Sequence, residues 1–213
     1  MDDQSIPTSR AEALACDAQD PLADRRDHFA LPDGVIYLDG NSLGPPPKTA
    51  LSEVQRAASV EWADGLIRSW NDAGWIDLPS GAGARVAPLI GAEPDEVTFC
   101  DSVSVNLFKL AAAAISVIDR PNALVVEEDE FPTDQYIAER AAEMLGVLFI
   151  RAKSGDGANA LADHGGGLIK SIVNYKTAAI ADMRATEQAA ASAGGAVIWD
   201  LSHGAGVLSI DVK

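Results

Sequence analysis

Cysteine and basic residues are both scarce in this sequence. Only Cys16 and Cys100 occur among 213 residues, too few for a disulfide framework, which favours a reducing, cytoplasmic compartment. The 16 Lys and Arg residues are outnumbered by 32 Asp and Glu residues, which gives a formal net charge of −16 at pH 7. Because nucleic acids and anionic membrane surfaces are also negative, we expect neither as a partner.

Long apolar runs and common site motifs are missing too. The longest apolar run, residues 110–118, contains a serine and is too short to span a bilayer. Residues 1–4 are acidic and polar with no apolar stretch behind them, so no secretory signal is expected. The sequence contains no Cys-x-x-Cys, His-x-x-x-His, glycine-rich phosphate loop or Gly-x-Ser-x-Gly. These absences disfavour a zinc site, a nucleotide site and an α/β-hydrolase, and we expect no metal.

The residues that are present predict a folded α/β protein. Apolar residues are 47% of the chain and charged residues 23%, values typical of globular domains. Apolar segments predict strands at 35–38, 96–99, 123–126, 147–150, 168–173 and 196–199. Helical spacing predicts helices at 49–63, 84–90, 104–117, 133–144 and 185–193, and the Gly-rich segment 154–167 predicts a loop. This alternation indicates a layered structure with a largely parallel sheet, which binds ligands at the carboxyl ends of its strands.

An acid follows the last predicted strand. The segment Trp199-Asp200-Leu201-Ser202-His203 places the Asp200 carboxylate where such a sheet binds its ligand. A carboxylate that only caps a helix or lies in a loop would give the same pattern. His203 could help to hold the ligand, although a single histidine is more often a packed or hydrogen-bonded residue.

Two other strand-to-helix junctions carry polar groups. The first, residues 101–106, offers backbone N–H groups and a hydroxyl at a helix start, which is a suitable phosphate site. Taken alone, this pattern is more often a serine that only caps the helix. The second, residues 131–134 (FPTD), places Phe131 where it could stack on a planar ring, or pack in an ordinary capped helix.

Six segments together resemble kynureninase, a pyridoxal-phosphate (PLP) hydrolase of the aspartate-aminotransferase fold type, in its bacterial form. They occur in the order found in that family and cover most of the chain from about residue 31. The segments are 37–44 (YLDGNSLG), 65–71 (GLIRSWN), 104–108 (SVNLF), 131–134 (FPTD), 173–177 (VNYKT) and 199–203 (WDLSH). The resemblance implies the large domain of a PLP-dependent transferase-like protein, a three-layer α/β sandwich with a mainly parallel sheet.

The resemblance also implies a PLP site. Asp200 would pair with the protonated pyridine nitrogen and Phe131 would stack on the ring. Val103 and Ser104 would hold the cofactor at a helix start, near its phosphate. The further matching positions are Thr133, Asp134, Ser171 and His203 for the cofactor, and Ser42 and Trp70 for the substrate, where Trp70 would face the aromatic ring of kynurenine.

Other parts of the family pattern have no match in this chain. In the family, the lysine that binds PLP covalently lies in a Tyr-Lys pair downstream of the acid matched by Asp200. The lysines here, Lys48, Lys109, Lys153, Lys170, Lys176 and Lys213, do not match that position, so no catalytic residue is assigned. We expect an N-terminal arm and entry loop at 1–44, a partial PLP-binding large domain at 45–213, and no C-terminal small domain. Such a chain would be inactive alone, and the full-length protein a homodimer.

The implied reaction is the hydrolysis of L-kynurenine, or its 3-hydroxy form, to anthranilate or 3-hydroxyanthranilate and L-alanine in tryptophan catabolism. One alternative is another fold-type-I PLP enzyme, such as a cysteine-desulfurase relative. It would share Asp200 and His203 but not the combination of 41–44 with 131–134. A second alternative is a non-catalytic remnant that only binds a ligand or forms dimers.

Overall fold

A computed structural model describes residues 6–213. The acidic start at 1–4 and the first five residues of the predicted arm lie outside the described residues. The chain divides into two compact units, Met1–Trp75 and Ile76–Lys213. The predicted domain boundary after residue 44 is a separate assignment and stays a prediction.

The first unit is mainly helical. Its α-helices are α1 (Arg10–Asp17), α2 (Lys48–Arg56) and α3 (Ser69–Asp72). The chain continues from α2 through π-helical turns at Ala57–Gly65, so the predicted helix at 49–63 is confirmed. The segment between α1 and α2 is irregular, and the predicted strand at 35–38 is wrong. Within this irregular segment, the Tyr37 hydroxyl donates to the Leu43 carbonyl at 2.6 Å. Both residues line an apolar cavity of about 250 Å³.

The second unit carries the sheet. Its strands are β1 (Ala123–Glu127), β2 (Leu148–Ala152), β3 (Gly167–Ser171) and β4 (Ala196–Asp200). Its helices are α4 (Leu78–Val86), α5 (Val103–Val117), α6 (Pro132–Leu145), α7 (Gly157–His164) and α8 (Met183–Ser192). The strand order is β2-β1-β3-β4, and every pairing is parallel. The order reverses direction between β1 and β3, which makes this the point where sheets of this kind bind ligands.

Two apolar cores lie on opposite faces of the sheet. On one face, Leu124, Val126, Ile169 and Ile198 pack with buried residues of α5 and α6. On the other, Ala123, Val125 and Leu168 pack with α7 and α8. β1 is buried at every position because both faces are covered. Helix, sheet and helix thus form three layers, as predicted.

The predicted strand at 96–99 is wrong. In the structure this extended segment packs on α4 instead of joining the sheet. The Phe99 N–H donates to the Pro79 carbonyl at 3.0 Å. A Cβ on Gly83 would lie 1.9 Å from the Val97 carbonyl oxygen, so α4 and this segment touch through backbone. Gly83 on α4 therefore allows a close backbone contact that the apolar pattern of residues 96–99 does not reveal.

The predicted loop at 154–167 contains α7. Leu161 is fully buried against the sheet, which supplies the packing that a short helix needs. The helix begins where the Gly157 N–H donates to the Glu127 carboxylate at 3.0 Å. The residue that accepts a hydrogen bond from the first turn of α7 is thus Glu127, which is distant in sequence. The local sequence around α7 therefore does not predict this contact.

Candidate functional site

The carboxyl ends of β3 and β4 bring two predicted site residues side by side. Ser171 and Asp200 are paired residues in the parallel register. The Ile172 N–H donates to the Asp200 carbonyl at 2.9 Å. The Ser202 N–H donates to Asp200 Oδ1 at 2.7 Å, and the Ser202 hydroxyl donates to the same oxygen. The tight turn after β4 therefore fixes the Asp200 carboxylate at the edge of the sheet.

Strand alternation places Asp200 and Ser171 toward α5 and α6. Ile198 and Ile169 lie in the core on that face, and residues two positions further along a strand point the same way. Trp199 points the other way, because its indole N–H donates to Glu187 on α8 at 2.6 Å. The acid predicted as the cofactor partner thus faces the start of α6.

Asp134, in the first turn of α6, is a buried carboxyl without a donor. It is 1% exposed, and neither oxygen has a hydrogen-bond partner among the described residues. Burial first, and then the neighbouring charges of Asp200 and Glu130, raise the pKa of Asp134 from 3.8 to about 7. Asp134 and Asp200 are therefore neighbouring carboxyls of which Asp134 keeps its proton up to near-neutral pH. A cationic N–H donor would satisfy this pair.

The start of α5 shares a cavity with Asp200. The Ser102 hydroxyl accepts from the Val105 N–H at 3.4 Å, so the predicted capping role of this serine is confirmed. Helix geometry leaves the N–H groups of Val103 and Ser104 without intrahelical acceptors. A cavity of about 320 Å³ lies between this helix and the turn after β4. Its lining includes Val103, Asn106, Asp200 and Ser202.

Phe131 lies at the N-cap of α6 and is 39% exposed. Its ring contacts Tyr175 edge to face, with centroids 5.1 Å apart. Thr133 is exposed in the first turn of the same helix, and His203 is half-buried in the turn after β4. Phe131 and Thr133 thus belong to the junction that also carries Asp134, and His203 to the turn that carries Asp200.

The two predicted substrate residues lie in the first unit. Ser42 is exposed in the irregular loop before α2. Trp70, on α3, is 48% exposed and packs edge to face on Trp75, with ring centroids 6.3 Å apart. The Trp75 indole N–H donates to Glu61 at 2.7 Å. This pair holds Trp70 at the surface of its unit.

Lys170 belongs to the opposite face of the sheet. Its ammonium group lies 2.7 Å from Glu127 and 3.8 Å from Glu130, and both carboxylates are buried. Leu168, two residues earlier, packs in the core formed with α7 and α8. Lys170 thus neutralises buried acids and does not face Asp200.

Two residues that sequence reasoning did not identify, Glu130 and Asn174, form hydrogen bonds that connect the segments that carry the site. Glu130 accepts the Ser171 N–H at 3.0 Å, and Asn174 donates to the Asp129 carbonyl at 3.2 Å. The acidic run 127–130, which begins at the last residue of the otherwise apolar β1, is a signal that could have pointed to Glu130. Carboxylates are rarely buried unless they are paired with cations or hydrogen-bond donors.

Two features, a metal-binding cluster and a membrane-spanning helix, are absent from residues 6–213. No group of three or more His, Cys, Asp or Glu residues there is arranged to hold a metal ion. None of the helices in that range combines the length and the apolar character needed to cross a bilayer.

Solved structures show which known fold the chain shares. Cysteine desulfurase CsdA from Escherichia coli, in its S-sulfonic acid form, matches with a TM-score of 0.68 and 18% identity, over 89% of this chain and 51% of that one. A C-DES mutant with glycine covalently linked to its PLP cofactor matches with a TM-score of 0.65 and 18% identity, over 87% of this chain and 51% of that one. The fold is the α/β sandwich of fold-type-I PLP-dependent enzymes, which confirms the predicted fold class.

Sequence comparison gives nearer relatives. Kynureninase of Burkholderia mallei (strain SAVP1) is 45% identical over an alignment of length 212 that covers 96% of this chain and 51% of that protein. Kynureninase of Pseudomonas fluorescens has the same identity and coverage. No family profile matches the chain. The chain spans about half the length of these curated relatives, and it is similar to the N-terminal portion of kynureninase, as its motifs predicted.

Proposed function

We propose that the carboxyl edge of the sheet binds PLP. The observation that carries this proposal is the pair formed by Asp134 and Asp200, in which a buried carboxyl lacks any donor among the described residues. The protonated pyridine nitrogen of PLP supplies the missing N–H and a positive charge, so the residues fit the group. When bound, PLP acts as an electron sink for bonds to the substrate's amino-bearing carbon.

The other predicted residues supply the remaining contacts. Asp200 and Asp134 hold the proton on the ring nitrogen. Phe131 stacks on the ring, and the free N–H groups of Val103 and Ser104 bind the phosphate at the positive end of α5. Thr133, Ser171 and His203 are assigned further cofactor contacts.

The proposed reaction of the whole protein is that of kynureninase. L-Kynurenine or its 3-hydroxy form, plus water, gives anthranilate or 3-hydroxyanthranilate and L-alanine. Ser42 and Trp70 are assigned to the substrate, with Trp70 against its aromatic ring. We place this reaction in tryptophan catabolism and NAD biosynthesis, in a cytoplasmic homodimer whose large PLP-binding domain begins at residue 45.

A cysteine desulfurase-like activity is the competing function. The solved structures with this fold support it at 18% identity, whereas kynureninases are 45% identical. The combination of 41–44 (NSLG) with 131–134 (FPTD) also favours kynureninase. We therefore assign the substrate as a kynurenine and keep cysteine as the comparison substrate.

The test is a chimera in which residues 1–213 replace the matching half of Pseudomonas fluorescens kynureninase. The folded, PLP-loaded chimera is given L-kynurenine, and release of anthranilate is followed by its fluorescence. We expect turnover that Asp200→Asn strongly reduces. Asp163→Asn, an exposed acid on α7, serves as the matched control and should leave turnover unchanged.

Two results of this experiment would count against the function. A folded, PLP-loaded chimera that releases no anthranilate refutes the kynureninase assignment. Release of L-alanine from L-cysteine by the same protein would establish the competing function instead.

A further inference from the structure

Phe131 is held by a residue that the assigned site does not include. The rings of Phe131 and Tyr175 meet edge to face, with centroids 5.1 Å apart and ring planes at 79°. Edge-to-face pairs of this kind contribute about 0.5–1.5 kcal/mol beyond the area they bury. Because Phe131 is partly exposed at the start of α6, this contact restricts a ring that would otherwise have room to turn.

Tyr175 is itself held in a closed turn after β3. A bridge between Val173 and Ile180 closes this segment. Within it, Asn174 Oδ1 accepts the N–H groups of Lys176 at 3.0 Å and Thr177 at 3.1 Å. The Lys176 ammonium group lies 5.3 Å from the centre of the Tyr175 ring, within the range of a cation–π contact. The turn thus fixes the backbone on both sides of Tyr175.

The same turn is tied to the loop that carries Phe131. The Asn174 amide nitrogen donates to the Asp129 carbonyl at 3.2 Å and to Asp129 Oδ2 at 3.0 Å. Ser154, from the segment after β2, donates to the same carboxylate at 2.7 Å. The contact between the two rings is therefore fixed from the side of Tyr175 and from the side of Phe131.

We propose that Tyr175 is a positioning residue that sets the plane of the Phe131 ring for stacking on PLP. This inference rests on the proposed PLP site. Tyr175 acts through its aromatic ring and not through its hydroxyl, so phenylalanine can replace it and an aliphatic side chain cannot. Removal of the ring leaves Phe131 free to rotate away from the stacked orientation.

The experiment titrates PLP into the 213-residue chain and three variants: Tyr175→Leu, Tyr175→Phe and Tyr136→Leu. Tyr136 lies on α6 and is 62% exposed, so it controls for loss of a tyrosine ring. Two quantities are measured: the dissociation constant of PLP, and the circular dichroism induced in the bound PLP, which reports the orientation of its ring. Urea unfolding midpoints establish that each variant is folded.

We expect Tyr175→Leu to weaken PLP binding about fivefold to tenfold and to change the induced circular dichroism. Tyr175→Phe and Tyr136→Leu should both match the parent chain. In a Phe131→Leu background, Tyr175→Leu should have no further effect, because its action requires the Phe131 ring. Equal binding and equal dichroism for Tyr175→Leu and the parent chain would overturn the inference, and so would additive effects in the double variant.

A separate measurement on the ligand-free chain distinguishes this inference from the proposed PLP site. The Phe131 ring protons should carry a ring-current shift from Tyr175 in NMR spectra, and Tyr175→Leu should abolish it. A parent chain that shows this shift but no saturable PLP binding refutes the PLP site and, with it, a role toward PLP. A parent chain that binds PLP without the shift refutes the positioning role alone.

Discussion

Asp134 has a charge state that depends strongly on the fold. A carboxyl in the first turn of a helix is ordinarily stabilised as an anion by the helix dipole. Here burial and the neighbouring carboxylates of Asp200 and Glu130 outweigh that effect and raise the pKa of Asp134 to about 7. The folded protein therefore keeps a proton that the unfolded chain releases near pH 4.

This difference predicts how stability depends on pH. The contribution of Asp134 is fully present below its unfolded pKa and is lost as pH rises through its folded pKa. Between pH 5.5 and 7.5, the free energy of unfolding should fall by about 2 kcal/mol more in the parent chain than in Asp134→Asn. Urea unfolding of both proteins at the two pH values measures this. Parallel pH dependences in the two proteins would show that Asp134 titrates normally.

Lys170 predicts a second effect at the scale of single residues. It is the cation that neutralises two buried carboxylates, Glu127 and Glu130. Breaking a buried ion pair from one side leaves an uncompensated charge, so Lys170→Met should lower the free energy of unfolding by about 3–5 kcal/mol. Adding Glu127→Gln should restore part of this loss.

The matched control for Lys170 is Lys153→Met, because Lys153 is exposed. Its effect should stay within about 0.5 kcal/mol. Urea unfolding near neutral pH compares the three variants. Equal losses for Lys170→Met and Lys153→Met would mean that Lys170 does not neutralise buried charge.

At the scale of elements, all four strands of the sheet could be predicted from the sequence, but two further apolar segments were wrongly predicted as strands. The strands at 123–126, 147–150, 168–173 and 196–199 are short apolar runs between turn residues, and all four form strands. Segments 35–38 and 96–99 have the same local pattern but no strand partner among the described residues. Strand formation needs a neighbour with free hydrogen-bonding groups, and local composition does not supply that information.

A glycine between α7 and β3 shows how closely the elements approach. Gly166 has φ +124°, and a Cβ there would lie 1.9 Å from the Ala123 carbonyl oxygen at the start of β1. Gly166→Ala should therefore cost more than about 3 kcal/mol, because backbone strain and a clash add.

Gly146→Ala separates the two causes of that cost. Gly146 ends α6 at φ +70° with no heavy atom within 4 Å of the added Cβ, so only backbone strain applies. We expect a loss of about 1 kcal/mol. Thermal or urea unfolding of both variants gives the comparison. Similar losses at the two positions would contradict the close approach at Gly166.

At the scale of the whole molecule, the two faces of the sheet have different roles. One face presents Asp200 and Ser171 toward α5 and α6, and the other presents the ion pair of Lys170 with Glu127. The sequence predicts which polar residues follow each strand, because the order of residues along the chain is known. It does not predict which of them meet, because that depends on strand order and register. Asp134 and Asp200 come together only through the packing of α6 on the sheet.

The most direct test of the PLP site is a PLP titration of the 213-residue chain, followed by the absorbance and fluorescence of the bound cofactor. Parent chain, Asp200→Asn and the control Asp163→Asn are compared under identical conditions. We expect saturable binding of one PLP per chain, weakened at least about tenfold by Asp200→Asn and unchanged by Asp163→Asn. Absence of saturable binding, or equal affinity in the parent chain and Asp200→Asn, would contradict it.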